Sequence, residues 1–531
     1  MNRRVLARSL KWLPAEPMMS AHESVEASIR STAHFMGQNT LQPLPKKDFT
    51  YAAAQHLLNR AGFGGTPTQI RALTEMGLDK AVDYLVDFGE LPERSSGLDF
   101  RGDIMRQPTR EEQETARRAR IAGDEETIAR LQREQQMRER TDRDQLASMQ
   151  RWWLARMIET GRPLEEKLTL LWHGHFATGY RTIENSWHML AQNGLLRREC
   201  AGNFADMVRG IIRDPAMLKY LDNDENRRNS PNENLARELL ELFTLGEGNG
   251  YSEQDIKQAA RALTGMTFRD NAYFFDAAQH DTAAKAILGR SGNFAGDELV
   301  SIILERPQCA RFIATKLFRF FVNDAPQPSR DGLDLTERLA KELRDNRYEL
   351  RPVLRALFRS RGFYAPENHL AVVKSPTQLM VQTIRSFATP TRDMSALVQA
   401  GDLMGQQLFQ PPSVKGWDGG RAWINTATLF VRQNVVVYLV TGRRPQAFDW
   451  SPSDMAYDST HLVEHLRDAS MSLDPEEATR SLLSFALAGD ADAARLAQLN
   501  GFIGGLGDTV TDDRIKALLC LIGAMPEFQL C

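Results

Sequence analysis

The sequence predicts a mainly α-helical fold, one large multi-helix unit with few or no strands, and three observations support this. Apolar residues recur at helical spacing along most of the chain. Helix start signals are clear, as at 66–69, where a capping threonine, a proline and a glutamine occur in order. β-Branched runs are short, and one of them, 435–438, is compatible with either strand or buried helix.

The composition is that of a globular protein. The 531 residues are 42% hydrophobic, and 66 Lys+Arg against 69 Asp+Glu give a formal net charge of −3. This content excludes disorder as the main state, and the even charge argues against a nucleic-acid-binding protein. Four cysteines without a CxxC pair exclude both a disulfide framework and a thiolate zinc ribbon.

The prediction divides the chain into five consecutive segments. The third is the most distinctive, because nine Arg and ten acidic residues fall within 110–144, and a break is expected near Gly123. The segments are 1–45, a flexible leader; 46–109, N-terminal helices; 110–150, a charged helical hairpin; 151–444, the main helical core with the candidate site; and 445–531, a loop and C-terminal helices.

The first residues bear on location. Arg3-Arg4 looks like a twin-arginine export motif, but Arg8, Lys11 and Pro14 interrupt the apolar core that a signal needs. We therefore expect a cytoplasmic protein, with a periplasmic location by co-export as the alternative. No window approaches the roughly 18 apolar residues of a membrane-spanning helix, so no transmembrane segment is expected.

His173 and His175 form the first candidate site. We expect Gly174 to end a helix that begins at Pro163, so that both imidazoles lie on one side of an extended segment. They could then bind a transition metal ion or act as acid–base groups. The alternative is one buried histidine bonded to the backbone and one exposed histidine.

Glu238 and Glu241 are the second set of candidate catalytic residues, on a predicted helix over 232–243. Paired carboxylates near imidazoles can build a metal or acid–base site. The alternative is a salt-bridge ladder of Glu233, Arg237 and Glu241, which stand four residues apart.

The segment 222–233 resembles a calcium-binding loop, with oxygen side chains at positions one, three, five, nine and twelve. Arg227 departs from the pattern, since a glycine is expected at that position. The alternative is structural, with Asn232 capping the next helix. The predicted ligands are Asp222, Asp224, Asn226 and Glu233.

Two further segments carry predicted substrate-binding residues. In 279–285 a histidine stands beside a carboxylate, which could also be a simple turn. In 410–425 two tryptophans and an arginine could stack a sugar, or could pin the loop to the core. The residues are His280, Asp281, Lys285, Trp417, Arg421 and Trp423.

Other motifs limit the chemistry. Residues 461–465 match the inverted zinc-protease pattern H-x-x-E-H, which would need a distal glutamate such as Glu476 or Glu477. No P-loop, G-x-S-x-G elbow or G-x-G-x-x-G turn is present. We therefore expect no nucleotide cofactor.

Short sequence motifs that follow one another in the same order over residues 52–531 resemble one bacterial family, the uncharacterised "domain of unknown function 1800" proteins. The resemblance implies a single family-length unit without an assigned reaction. Members often carry export signals and look paired with a sulfatase-like family. These motifs lie at 56–64, 163–167, 172–176, 214–217, 220–223, 231–238, 245–246, 260–265, 280–285, 316–317, 374–376, 411–417 and 526–528.

The combined expectation is a metal-assisted hydrolase acting on a carbohydrate or cell-surface substrate. In that case the two imidazoles, a helix carboxylate and the tryptophan loop should surround one open cleft. The alternative is a non-catalytic binding or maturation partner of an exported sulfatase-like protein, in which the same groups are scattered or fully buried.

Overall fold

A computed structural model shows the mainly α-helical fold that the sequence predicts. It describes residues 40–93, 97, 99–446, 449–451, 456–466, 475–489, 492–504 and 510–531, so that most of the predicted leader lies outside the described residues. Within them, β-structure is limited to three two-stranded antiparallel sheets and isolated bridges. None of the described helices has the length and apolarity needed to cross a membrane.

The helices before the calcium-like segment are α1 (Tyr51–Ala61), α2 (Pro67–Val86), α3 (Arg110–Ala122), α4 (Glu125–Glu159), α5 (Pro163–His175), α6 (Tyr180–Ile183), α7 (Ser186–Glu199), α8 (Phe204–Ile211) and α9 (Pro215–Tyr220). Capping agrees with the sequence signals, since the Thr66 side chain accepts from the Gln69 N–H and forms a full capping box.

The middle of the chain contains α10 (Asn234–Glu238), a π-helix (Leu239–Thr244), α11 (Glu253–Ala262), β1 (Met266–Arg269), β2 (Ala272–Phe275), β3 (Lys285–Ile287), β4 (Arg290–Gly292), α12 (Gly296–Leu304), α13 (Pro307–Phe321), α14 (Arg330–Asp345) and α15 (Leu350–Arg359). The π-helix departs from the single α-helix predicted over 232–243, and π-helical turns are frequent at functional sites.

The last part contains α16 (Pro376–Phe387), α17 (Met394–Leu403), α18 (Thr426–Thr441), β5 (Arg444–Gln446), β6 (Asp449–Ser451), α19 (Thr460–Leu466), α20 (Pro475–Leu487), α21 (Ala493–Gly504) and α22 (Asp512–Gly523). The β-branched run 435–438 is helical within α18, where Val435 and Val436 are buried.

The predicted charged hairpin consists of α3 and the first half of α4, which pack against each other. Gly123 joins them in the left-handed conformation, with φ 66°. Glu112 at the base of α3 pairs with both Arg106 and Arg138. The second half of α4 is different, because its side chains from Asp142 onward include many that are buried.

Helix α5 is the central element of the fold. Every residue from Pro163 to His173 is buried, and α5 packs against α1, α2, α4 and α7. A helix that is buried all round is typical of the core of a large protein. The helix ends at His175, one residue after the predicted end at Gly174, so His173 and His175 both lie in its last turn and the predicted extended segment between them is wrong.

A buried ion network joins α5 to its neighbours. Glu166 on α5 is fully buried and pairs with Arg156 on α4 and with Arg197 on α7, at 2.7 Å for Arg197. The indole N–H of Trp153 donates to the same carboxylate at 2.8 Å. Burial disfavours this charge, but the two guanidinium groups prevail and hold the pKa of Glu166 below its usual range.

Candidate functional site

An open cleft of about 730 Å³ lies where α1, α5 and α13 meet the segments 370–375 and 415–423. Its volume is within the range of small-molecule sites. The cleft takes its character from cationic side chains contributed by separate elements. These are Arg60, Lys167, Lys316, Arg319, Lys374, Lys415 and Arg421, and the acidic side chains on the same lining are Asp324 and Asp418.

Three of the cations are almost completely buried. The exposed fraction is 1% for Arg60, 6% for Lys167 and 2% for Lys374. Lys316 is half-buried. We call Arg60, Lys167, Lys316 and Lys374 the cation cluster.

The buried members of the cation cluster bond to neutral groups. The Lys167 Nζ donates to the side-chain oxygen of Gln378, and the Lys374 Nζ donates to the Phe528 carbonyl at 2.8 Å. Arg60 donates to backbone oxygens, including one of Cys531 at 2.8 Å. Among the described residues, no Asp or Glu side chain forms an ion pair with any member of the cluster, although a negative charge at Cys531 acts on Arg60, Lys167 and Lys374, and Asp324 acts on Arg60. Buried cations without a directly paired acidic side chain are unusual.

Burial therefore changes the basicity of the lysines. Burial is the main cause that lowers the pKa of Lys167 to about 7; the negative charge at Cys531 opposes this shift, and the positive charges of Arg60 and Lys374 add to it. Burial also lowers the pKa of Lys374 to about 8 and that of Lys316 from its usual value. An anion in the cleft would favour the protonated form of all three amines.

The loop 415–423 forms one wall of the cleft and rests on α5. Gly416 has φ +78°, and a Cβ atom there would lie 2.0 Å from the carbonyl oxygen of Gly174. This close approach places Trp417 beside α5, with its ring centroid 5.6 Å from that of His173. Trp417 and Trp423 both line the cleft, as the sequence analysis predicted for a substrate loop, and Arg421 stands exposed beside them.

The two imidazoles of α5 separate instead of sharing a face. The Nε2 atom of His173 accepts from the Phe409 N–H at 3.1 Å, whereas the Nε2–H of His175 donates to the Phe243 carbonyl at 3.0 Å, within the π-helix. Burial lowers both pKa values to about 3, so both rings are neutral at pH 7. Only His175 lines the cleft, and its Nδ1 atom has no partner within the described structure.

Glu238 and Glu241 do not line the cleft. Arg237 pairs with Glu233 at 3.0 Å and with Glu241 at 3.4 Å, so the salt-bridge ladder weighed as the alternative is present. Burial, and then the charge of Glu241, raise the pKa of Glu238. The structure therefore does not bring these glutamates together with the two histidines around one cavity.

The calcium-like segment is tied together by its own side chains. Asn226 is buried and bonds to Asn223, to the Ala260 carbonyl and to the Asn232 N–H. The Asn232 side chain caps the next turn by accepting from the Asn234 N–H at 2.9 Å. This agrees with the structural alternative for Asn232.

The other predicted calcium ligands also have protein partners. Asp222 accepts from Asn234, Asp224 pairs with Lys219 at 3.3 Å, and Glu233 pairs with Arg237. In the part of the chain that the structure describes, no group of three or more His, Cys, Asp or Glu side chains could hold a metal ion. The described residues of the H-x-x-E-H segment likewise form no such group. Its His461 is exposed on α19, and the ring Nδ1 lies 3.3 Å from the Glu464 carboxylate.

The segment 280–285 forms a separate structural network away from the cleft lining. The Nδ1–H of His280 bonds to the Thr264 carbonyl at 2.8 Å, and Asp281 pairs with Arg261 at 2.6 Å. Lys285 donates to the Asp281 carbonyl at 2.5 Å. The structure therefore places these three predicted substrate residues against the end of α11.

The sequence analysis did not predict the cation cluster. Its signal is a lysine on the apolar face of a helix: Leu164, Leu170 and Leu171 surround Lys167 at positions three or four residues away. All four members also lie within the motifs on which the family resemblance rests. They come from four different motifs, so only the tertiary structure shows that they meet.

Comparison with known families identifies the same family that the sequence motifs resemble. The family described as protein of unknown function (DUF1800) matches residues 56–530, and the chain belongs to this family. No curated protein and no solved structure matches the chain.

Proposed function

We propose that the protein is a hydrolase of a carbohydrate or cell-surface substrate that carries an anionic group, and that the substrate binds in the cationic cleft. The observation that carries this proposal is the cation cluster, in which four cations meet at one cleft and none is paired with an Asp or Glu side chain among the described residues. Buried charges are costly unless a counter-charge is near. A phosphate, sulfate or carboxylate group of the substrate would supply that counter-charge.

The rest of the lining supports a carbohydrate and a reaction. Trp417 is half-buried and offers a ring on which a sugar can stack, whereas Trp423 is buried. Asp324 lies on the same lining and is able to transfer a proton. Burial raises the pKa of Asp324, and this shift favours the acid role of a carboxyl group over the base role.

The involvement of a metal ion in the reaction stays a prediction, and the positions of the candidate ligands do not support it. Calcium at 222–233 and a transition metal ion at His173 and His175 would each need further ligands, because the described candidate side chains already have protein partners. The proposal therefore assigns substrate binding to the cations and not to a metal ion.

The second proposed function is a non-catalytic binding or maturation partner of an exported sulfatase-like protein. Two observations favour it over the enzyme: His173 is buried against Phe409, and Glu238 and Glu241 lie off the cleft. A sulfated ligand would suit the cleft in this case too. We propose a cytoplasmic location for the protein, with a periplasmic location by co-export as the alternative if it is the partner of an exported protein.

The test begins with binding of inorganic phosphate and sulfate, compared with chloride at matched ionic strength. We expect either oxyanion to raise the melting temperature, because a ligand that binds only the folded state stabilises it. Lys374→Met should remove this response. Lys341→Met is the matched control, since Lys341 is exposed, pairs with Asp345 on α14 and does not line the cleft. An equal response to chloride would contradict the proposal.

The reaction is tested with sulfated and phosphorylated oligosaccharides. Release of inorganic ions or of new reducing ends by the wild type, and its loss in Lys374→Met, would support the hydrolase. Tight binding of the same compounds without turnover would support the non-catalytic partner instead.

A further inference from the structure

We propose that Lys167 is a nucleophile whose amine forms an imine with the carbonyl carbon of an anionic aldehyde or ketone bound in the cleft. This activity goes beyond hydrolysis and rests on the proposed function only in that the cleft must bind the anionic group. The argument starts from how the amine is held.

Gln378 fixes one side of the Lys167 amine. The amide nitrogen of Gln378 donates to the Asn59 carbonyl at 3.2 Å and to the Gln382 side chain at 2.8 Å. Its oxygen is therefore oriented to accept from the Lys167 Nζ. No other hydrogen-bond partner of this Nζ is found within the described residues, so the remaining positions on nitrogen are available to a ligand.

The surroundings lower the pKa of the amine, so that a larger fraction of it is unprotonated than in an exposed lysine. The rings of Phe63 and Phe320 lie with their centroids 5.1 and 5.5 Å from the Nζ, and both exclude water. Arg60 and Lys374 place like charges nearby, and these act against the negative charge at Cys531. Desolvation and a neighbouring cation are the two conditions that activate a lysine as a nucleophile in enzymes.

The other lysines of the cleft are less suited. The Lys374 Nζ lies 4.2 Å from the Phe528 ring centroid and donates to the Phe528 carbonyl, which holds it against the wall. Lys415 is exposed and pairs with Glu247 at 2.6 Å, and this bond raises its pKa. Arg60 and Lys374 are instead placed to hold the anionic group beside Lys167.

The step balances without an oxidant or reductant. The Nζ lone pair attacks the carbonyl carbon, a C–N bond forms, and an amine proton moves to the carbonyl oxygen to give a carbinolamine. The hydroxyl group then leaves with the second amine proton as water, and a C=N bond remains. The substrate class is an anionic carbonyl compound, such as an open-chain sugar phosphate or a 2-oxo acid.

The experiment uses pyridoxal 5′-phosphate, which is an aldehyde with a phosphate group, on the full chain at neutral pH. The protein is incubated with less than one equivalent, reduced with borohydride, and digested for peptide mapping. We expect the pyridoxyl group mainly on Lys167, at about ten times or more the level of any exposed lysine, because far more of this amine is unprotonated. Inorganic phosphate should reduce the labelling.

Two conservative variants provide the controls. Lys167→Arg should lose the adduct, whereas Lys341→Arg, at an exposed lysine that does not line the cleft, should keep it on Lys167. Because the mapping on wild-type protein identifies the reactive lysine directly, the result does not depend on whether Lys167→Arg folds. Adducts on Lys374 or spread over surface lysines would overturn the inference. If phosphate raises the melting temperature but Lys167 stays unlabelled, the imine inference fails and anion binding stands; if phosphate also has no effect, both fail.

Discussion

Gly416 and Gly174 touch backbone to backbone: a Cβ atom on Gly416 would lie 2.0 Å from the Gly174 carbonyl oxygen. The contact joins the tryptophan loop to the central helix. A Cβ atom on Gly174 itself would lie 3.6 Å from the Trp417 ring, an ordinary contact, so the close approach requires glycine at position 416.

Gly416→Ala should therefore displace the loop. We expect a loss of about 1–3 kcal/mol in the free energy of unfolding, since a side chain is forced into a packed contact, together with weaker phosphate binding. Gly419→Ala is the control, because Gly419 has a similar φ of +73° and nothing within 4 Å of the added Cβ. It should bear the cost of backbone strain alone, about 1–3 kcal/mol, whereas Gly416→Ala adds the overlap with Gly174 to its own strain. Equal losses would show that the close approach is unimportant.

Glu166→Gln should be one of the most destabilising polar substitutions. It leaves the guanidinium groups of Arg156 and Arg197 without their shared buried partner, and breaking a buried pair costs about 3–5 kcal/mol. Glu114→Gln is the comparison, because Glu114 and Arg118 form an exposed pair at 3.8 Å worth at most about 0.5 kcal/mol. Chemical denaturation of both variants measures the difference, and a loss below 1 kcal/mol for Glu166→Gln would contradict the prediction.

The buried lysines should make the unliganded protein more stable as the pH rises from 7 to 9. The pKa of Lys167 is about 7 in the folded protein, against the ordinary value of 10.5 that applies to the unfolded chain. The unfolded chain therefore binds more protons between pH 7 and 9. Stability then increases with pH by at most about 1.4 kcal/mol per unit for this one group. Lys167→Met should lower that slope, and an unchanged slope would show that the folded amine is protonated.

Metal removal should leave the protein unchanged. Because Asp222, Asp224, Asn226 and Glu233 bond to protein groups, we expect the same melting temperature with and without a chelator, and no bound metal in elemental analysis. Asn226→Ala should cost about 1–3 kcal/mol through unsatisfied buried groups, equally in both conditions. A drop in melting temperature on chelation would restore the calcium prediction.

The tip of the charged hairpin should be dispensable. Replacing 113–137 by a short Gly/Ser linker keeps the pairs of Glu112 with Arg106 and Arg138 and should leave the melting temperature nearly unchanged. A longer deletion to residue 144 should fail, because it removes Asp142, which is buried and bonds to Tyr180 and Ser186. Soluble expression and thermal melting of the two deletions check this difference.

The sequence predicted those features that depend on neighbours along the chain. Capping at Thr66, the turn at Gly123 and the ladder through Arg237 are confirmed, since each depends on residues within a few positions. The π-helix over 239–244 departs from its own local pattern and was not predicted.

The site was predicted only in part, for the opposite reason. Trp417 and Trp423 lie on the cleft as expected, because a proline- and glycine-rich loop with aromatic residues indicates a binding surface on its own. Arg60 and Lys374 come from distant parts of the chain, and only the packing of α1 and of the segment 370–375 around α5 brings them near Lys167. The two histidines failed as a pair because Gly174 is helical, and helical residues two apart point in different directions.

If the cleft binds an anion, the cation cluster has a consequence for the lifetime of the protein. A fold that buries these cations would open and reach proteases more often when the anion is scarce, because proteolysis follows the population of the open form. Ligand at about a hundred times its dissociation constant would add about 2.7 kcal/mol to the folded state. The lifetime of the protein would then follow the supply of the anion, and the protein would accumulate where that anion is abundant.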